Sequence, residues 1–67
     1  MTNNEFRLWR MRHFPSVYAA AKHLGMSRDT IDAYESGITR KGKPMRNIPR
    51  YIAMMCAYLD NVTGKKL

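Results

Sequence analysis

Apolar and polar positions along the chain fall into a few short helical stretches separated by brief breaks. The clearest lies between residues 16 and 37. Val17, Ala20, Ala21 and Leu24 recur at helical spacing. Gly25 follows where a helix closes through a left-handed residue. Ser27 stands at an N-cap position, and Asp29 in the next turn complements the positive end of a helix dipole. Ile31 and Tyr34, three apart, give the second helix an inward face, and Gly37 stops it near Ser36. The spacing predicts helices over about 17–24 and 27–36.

Ahead of this pair, Thr2 and Glu5 fit a capping box, so a first helix is expected to run to about His13. Phe6, Trp9 and His13 form its inner face, with Arg10 on the border. Phe14-Pro15 breaks it and Ser16 caps the next helix. After Gly37 the stretch 38–47 is basic, carrying Arg40, Lys41, Lys43 and Arg46; Gly42 and Pro44 argue against a regular element there. Pro49 suits the first turn of a final helix, expected over about 49–62. Its apolar stripe is Ile48, Ile52, Met55, Leu59 and Val62, broadened by Tyr51 and Tyr58. The stretch 65–67 reads as a frayed tail. The expected fold is a single all-α domain of four to five helices.

Two helices joined by so short a turn, with Ala at position 21, must approach closely at a steep angle. A side chain at Gly25 would strain the turn. Ala20, Ala21, Leu24, Gly25, Met26, Ile31 and Tyr34 together fit the helix-turn-helix pattern, in which the second helix enters the DNA major groove. The charge balance agrees with a polyanionic partner: twelve Lys and Arg against five Asp and Glu give a formal +7 over 67 residues. So small a domain buries only about 60% of its unfolded surface and gains from oligomerisation.

The segment Ala20-Ala-x-x-Leu-Gly-Met-Ser27 followed by Ile31-x-x-Tyr34-Glu35-Ser-Gly37 resembles the Cro/CI (XRE) helix-turn-helix of phage and bacterial repressors, over roughly residues 3–39. The later part, Lys43-Pro-x-x-x-Ile48-Pro49-Arg50-Tyr51, departs from a five-helix repressor domain. It looks more like short phage-encoded autoregulators, including anti-CRISPR-associated repressors, which bind inverted repeats as dimers. The resemblance implies a lambda-repressor-like fold and an ion pair between Arg10 and Glu35. It also implies outward residues on the second helix: Arg28, Asp29, Asp32 and Ala33 toward bases, with Ser27 and Ser36 beside them. Arg28 suits guanine O6 and N7, Asp29 a cytosine amino group or simply the helix dipole, and Ala33 a thymine methyl. Ser16, Ser27, Ser36, Thr39, Arg40, Lys41 and Lys43 are the expected phosphate contacts, with Lys22 and Arg12 as further candidates.

These features predict a double-stranded DNA-binding repressor, a homodimer on an inverted-repeat operator, regulated by its own concentration. Tyr51, Met55, Tyr58, Leu59 and Val62 are the expected dimer surface. The alternatives are a DNA-binding antitoxin or excisionase-like factor, or a protein-binding module keeping the helix-turn-helix shape. A stacking platform built from Trp9 and the tyrosines is weaker, since helical spacing favours core and interface. No catalytic constellation is evident, so no enzyme is expected. His13, His23 and Cys56 lack paired ligand spacing, so no metal or other cofactor and no small-molecule effector is expected. Cys56, inside the apolar run Ala53-Met-Met-Cys-Ala, reads as a buried thiol. No secretory leader and no apolar run long enough to span a bilayer is evident, which predicts a cytoplasmic protein without a membrane partner. Asp60 is expected to be exposed.

Overall fold

The computed structural model describes residues 1–45 and 47–64. Arg46, expected in the basic rim, and the 65–67 tail lie outside the described residues. Four helices follow one another: α1 (Asn3–His13), α2 (Val17–Leu24), α3 (Arg28–Ser36) and α4 (Arg50–Thr63). Among the described residues there is no β-strand, and no helix is long and apolar enough to cross a membrane.

Local chemistry sets each boundary. The Glu5 N–H donates to Thr2 Oγ1 at 3.0 Å and the Thr2 N–H to Glu5 Oε1 at 2.7 Å, closing the capping box of α1. Hydrogen bonding to the Thr2 backbone N–H, and then to its side chain, holds the Glu5 carboxyl below its usual range. Ser16 Oγ accepts from the Ala19 N–H, and Ser27 Oγ accepts from the Thr30 N–H, each at 3.1 Å. Gly25 ends α2 at φ +70°, with the Met26 N–H returning to the Ala21 carbonyl at 3.0 Å. That bond turns Met26 back toward the core, which it partly joins.

The core forms where α1, α2, α3 and α4 meet, from Phe6, Trp9, Ala21, Ile31, Tyr34, Ile52 and Cys56. Phe6 stands edge-on to Tyr34, with ring centroids 5.4 Å apart. Trp9 helps attach α4: its indole N–H donates to the Cys56 carbonyl at 3.1 Å. Cys56 is a free thiol, 1% exposed, and burial pushes its pKa up to about 12, so it stays protonated at neutral pH. Burial also raises the Tyr34 hydroxyl, helped by the neighbouring Tyr51. Trp9 and Tyr34, at 1% and 5% exposure, are core residues and offer no stacking surface.

Two expectations about α4 need correction. Its buried line is Ile52 and Cys56, with Ile48, Met55 and Leu59 packed at the margin, while Val62 is 59% exposed. Met55 and Leu59 are partly buried against the core, so less of them is open than of the rest of the expected dimer surface. The exposed apolar line is instead Tyr51, Met54, Tyr58 and Val62. Asp60 is also not the open acid expected. Its side chain is 21% exposed, with Oδ1 accepting from His13 Nε2 at 2.7 Å and Oδ2 3.5 Å from Arg12. These contacts tie the C-terminal half of α4 to the end of α1 and hold Arg12 to it.

Candidate nucleic-acid interface

α3 is held by both neighbours. Ile31 and Tyr34 face the core, and Glu35 receives Arg10 from α1 through two hydrogen bonds, Nε to Oε2 at 2.8 Å and Nη2 to Oε1 at 3.1 Å. Both side chains are nearly covered, at 13% and 10% exposure. The paired Glu35 raises the Arg10 pKa further, keeping the guanidinium charged. Such a bidentate pair fixes rotation as well as distance, so the outward direction of α3 is set by α1.

Along α3, Arg28, Asp29 and Asp32 are exposed, and Asp32 lies beside that pair. Ala33, expected to reach a thymine methyl, is 3% exposed. The stretch after Gly37 folds back beside it. Among the described residues that stretch holds no helix or strand, as Gly42 and Pro44 imply, but its backbone hydrogen bonds form a turn. Ile38 and Pro44 form an isolated antiparallel bridge. The Thr39 N–H donates to the Lys43 carbonyl at 2.7 Å, and the Gly42 N–H to the Thr39 carbonyl at 2.8 Å. Gly42 adopts φ +83°, so the tip needs a residue without Cβ. Thr39 Oγ1 accepts from the Lys43 N–H at 3.0 Å, bracing the turn from inside.

This small hairpin is anchored twice. The Met45 N–H donates to the Gly37 carbonyl at 2.8 Å. Asn3 of α1 donates through Nδ2 to the Tyr34 carbonyl at 2.8 Å and to the Met45 carbonyl at 2.9 Å. Asn3 is thus a positioning residue that sequence reasoning missed, because an asparagine opening a helix looks the same whatever it reaches. One shallow groove results, lined by Asp29, Thr30 and Ala33 from α3 and by Thr39, Arg40, Lys41, Lys43 and Met45 from the hairpin. Arg40 Nη1 reaches back across it to Asp29 Oδ2 at 3.4 Å.

The expected phosphate contacts divide into groups. Thr39, Arg40, Lys41 and Lys43 come together on the groove. Ser27 is exposed at the start of α3, its hydroxyl 2.8 Å from that of Thr30. Ser16 is exposed at the start of α2 and does not line the groove. Ser36 is drawn into the end of α3: its one hydroxyl hydrogen is shared between the Asp32 and Ile38 carbonyls, at 2.8 and 3.0 Å, and Oγ accepts from the Ile38 N–H. That leaves it no hydroxyl hydrogen for a phosphate. Lys22 is exposed on α2. His23 lies against Phe14, with ring centroids 5.3 Å apart, and His13 packs on Trp9 at 4.7 Å. Among the described residues no group of three or more His, Cys, Asp or Glu is placed to hold a metal ion. Comparison with protein-family models, with characterised proteins and with solved structures gives no match to this chain.

Proposed function

We propose that this protein is a sequence-specific, double-stranded DNA-binding repressor that uses α2, the Gly25 turn and α3 as a helix-turn-helix of the Cro/CI kind. The observation that carries this reading is the pairing of two surfaces. α3 offers Arg28, Asp29 and Asp32 to solvent, and the adjoining hairpin sets Arg40, Lys41 and Lys43 along its edge. A helix inserted in the major groove needs both: side chains that read base edges and cations that meet the flanking phosphates. The formal charge of +7 supplies the long-range attraction.

Roles follow from position. Arg28, the first residue of α3, reads guanine through O6 and N7. Lys41 and Lys43 bind phosphate, as does the Thr39 hydroxyl, which accepts from the hairpin backbone and keeps its hydrogen to donate. Ala33 has no base-reading role, because its side chain is almost fully buried. The protein acts as a homodimer through the exposed α4 line of Tyr51, Met54, Tyr58 and Val62, which sets two α3 helices in major grooves about 34–36 Å apart. Repression follows from occupying promoter DNA, and the protein's own concentration sets the response.

The test separates reading from gripping. Duplexes recovered from a random pool by the full chain are titrated with Arg28→Ala and Lys41→Ala. Arg28→Ala should lose discrimination at one base pair, about 1–3 kcal/mol. Lys41→Ala should weaken recovered and random duplexes alike and lower the salt slope by roughly one. Identical behaviour of the two variants would remove α3 from the major groove.

A further inference from the structure

The Asp29–Arg40 contact poses a problem that DNA binding alone does not answer. Asp29 is a carboxylate, 61% exposed, on a surface whose other charged residues are Arg40, Lys41 and Lys43. A bare negative charge there opposes the phosphate backbone that this surface would grip. Arg40, at the hairpin tip, spans the groove and places Nη1 3.4 Å from Asp29 Oδ2. Its side chain is 83% exposed, so neither packing nor burial requires the contact.

We infer that Asp29 and Arg40 act as one specificity device, in which Arg40 neutralises and orients the Asp29 carboxylate so that its second oxygen accepts from a base amino group. The inference rests on the proposed DNA-binding reading and assigns to it the chemistry of one base position. Arg40 approaches Oδ2, and among the described residues no other hydrogen bond engages this side chain, so Oδ1 keeps its lone pairs. Asp29 lies in the first turn of α3, the part of a recognition helix that faces base edges. In the major groove, cytosine N4 and adenine N6 are donors, whereas guanine O6 and N7 and thymine O4 are acceptors. An oriented carboxylate therefore admits cytosine or adenine and repels guanine and thymine. Arg28 one residue earlier carries the opposite preference, so the two adjacent side chains impose complementary demands on the operator.

The hairpin thereby acquires a second role. A cation serving only phosphate is indifferent to sequence. As a positioning residue, Arg40 makes base preference depend on the fold of the 38–45 segment, including the Asn3 bond to the Met45 carbonyl that anchors it.

The experiment begins with selection from a random duplex pool by the full-length chain. Wild type, Asp29→Ala, Arg40→Ala, Arg40→Lys and the double alanine variant are then titrated on the recovered duplex and on its single-base variants. Both side chains are exposed, so melting temperatures should match across the set, which shows that folding is intact. Asp29→Ala and Arg40→Ala should each reduce preference for cytosine or adenine at the same base pair by about fivefold or more. The double variant should lose no more than either single, and Arg40→Lys should retain part of the preference. If Arg40→Ala instead weakens all duplexes equally while the Asp29-dependent preference stays intact, Arg40 serves phosphate alone and the inference is overturned with the DNA reading still standing. If the pool yields no preferred sequence, the DNA reading fails and the inference fails with it.

Discussion

Arg10 and Glu35 join α1 to α3 through two hydrogen bonds beneath a thin cover of solvent. Removing the carboxylate strands a nearly covered guanidinium, which costs more than the pair contributes. Arg10 keeps one other partner, the Phe14 carbonyl at 3.3 Å, which softens the loss. Glu35→Ala should therefore destabilise the fold by about 2 kcal/mol, lowering the melting temperature by roughly 10 °C. The exposed Asp29→Ala should change stability by no more than about 0.5 kcal/mol. Thermal melts followed by circular dichroism decide between them; equal shifts would remove the pair from any account of how α3 is oriented. Asp60 is unsuitable as the neutral control, since it holds His13 and Arg12.

At the scale of elements, the pair α2 and α3 was legible because its boundaries are local. Ser16, Gly25, Ser27 and Gly37 each act on backbone groups within a few residues of themselves. The groove beside α3 was not legible, because it depends on whether a later segment folds back. That outcome is set by the Met45 to Gly37 bond and by Asn3, 42 residues away from Met45 in sequence. The inward stripe of α4 was legible as far as Leu59, since Ile48, Ile52, Met55 and Leu59 all join or pack against the core, and only Val62 departs from it. Periodicity gives a stripe but not its centre, and the bond from Trp9 to the Cys56 carbonyl helps fix which side turns inward. Met54 then belongs with Tyr51, Tyr58 and Val62 by spacing alone, a line present in the sequence beside the more conspicuous one. For the turn itself, Gly25→Ala is the sharp test. A Cβ there meets nothing within 4 Å, so its cost arises from φ +70° alone. The variant should lose about 1–2 kcal/mol without altering the core, measured by denaturant titration at unchanged m-value. A loss well beyond that would mean the turn is held by more than its backbone conformation.

At the scale of the whole molecule, the cationic groove beside α3 and the apolar line on α4 both face solvent. Tyr51, Met54, Tyr58 and Val62 are 59–69% exposed, a large apolar display for so small a chain. In the proposed dimer this line meets its own copy, so Tyr58→Asp sets two carboxylates near the two-fold axis. Sedimentation should show a monomer of unchanged helix content, with affinity for paired sites reduced and affinity for a single half-site preserved. A chain already monomeric as wild type would turn the α4 line toward a different partner and weaken the repressor reading.

The most direct measurement is fluorescence anisotropy on the DNA upstream of this protein's own gene against a scrambled duplex, at low and at physiological salt. A specific repressor holds the upstream sequence at nanomolar concentrations in physiological salt, with a preference of about a thousandfold or more. Equal affinities that vanish together as salt rises would leave only a basic protein and contradict the reading of α3 as a recognition helix.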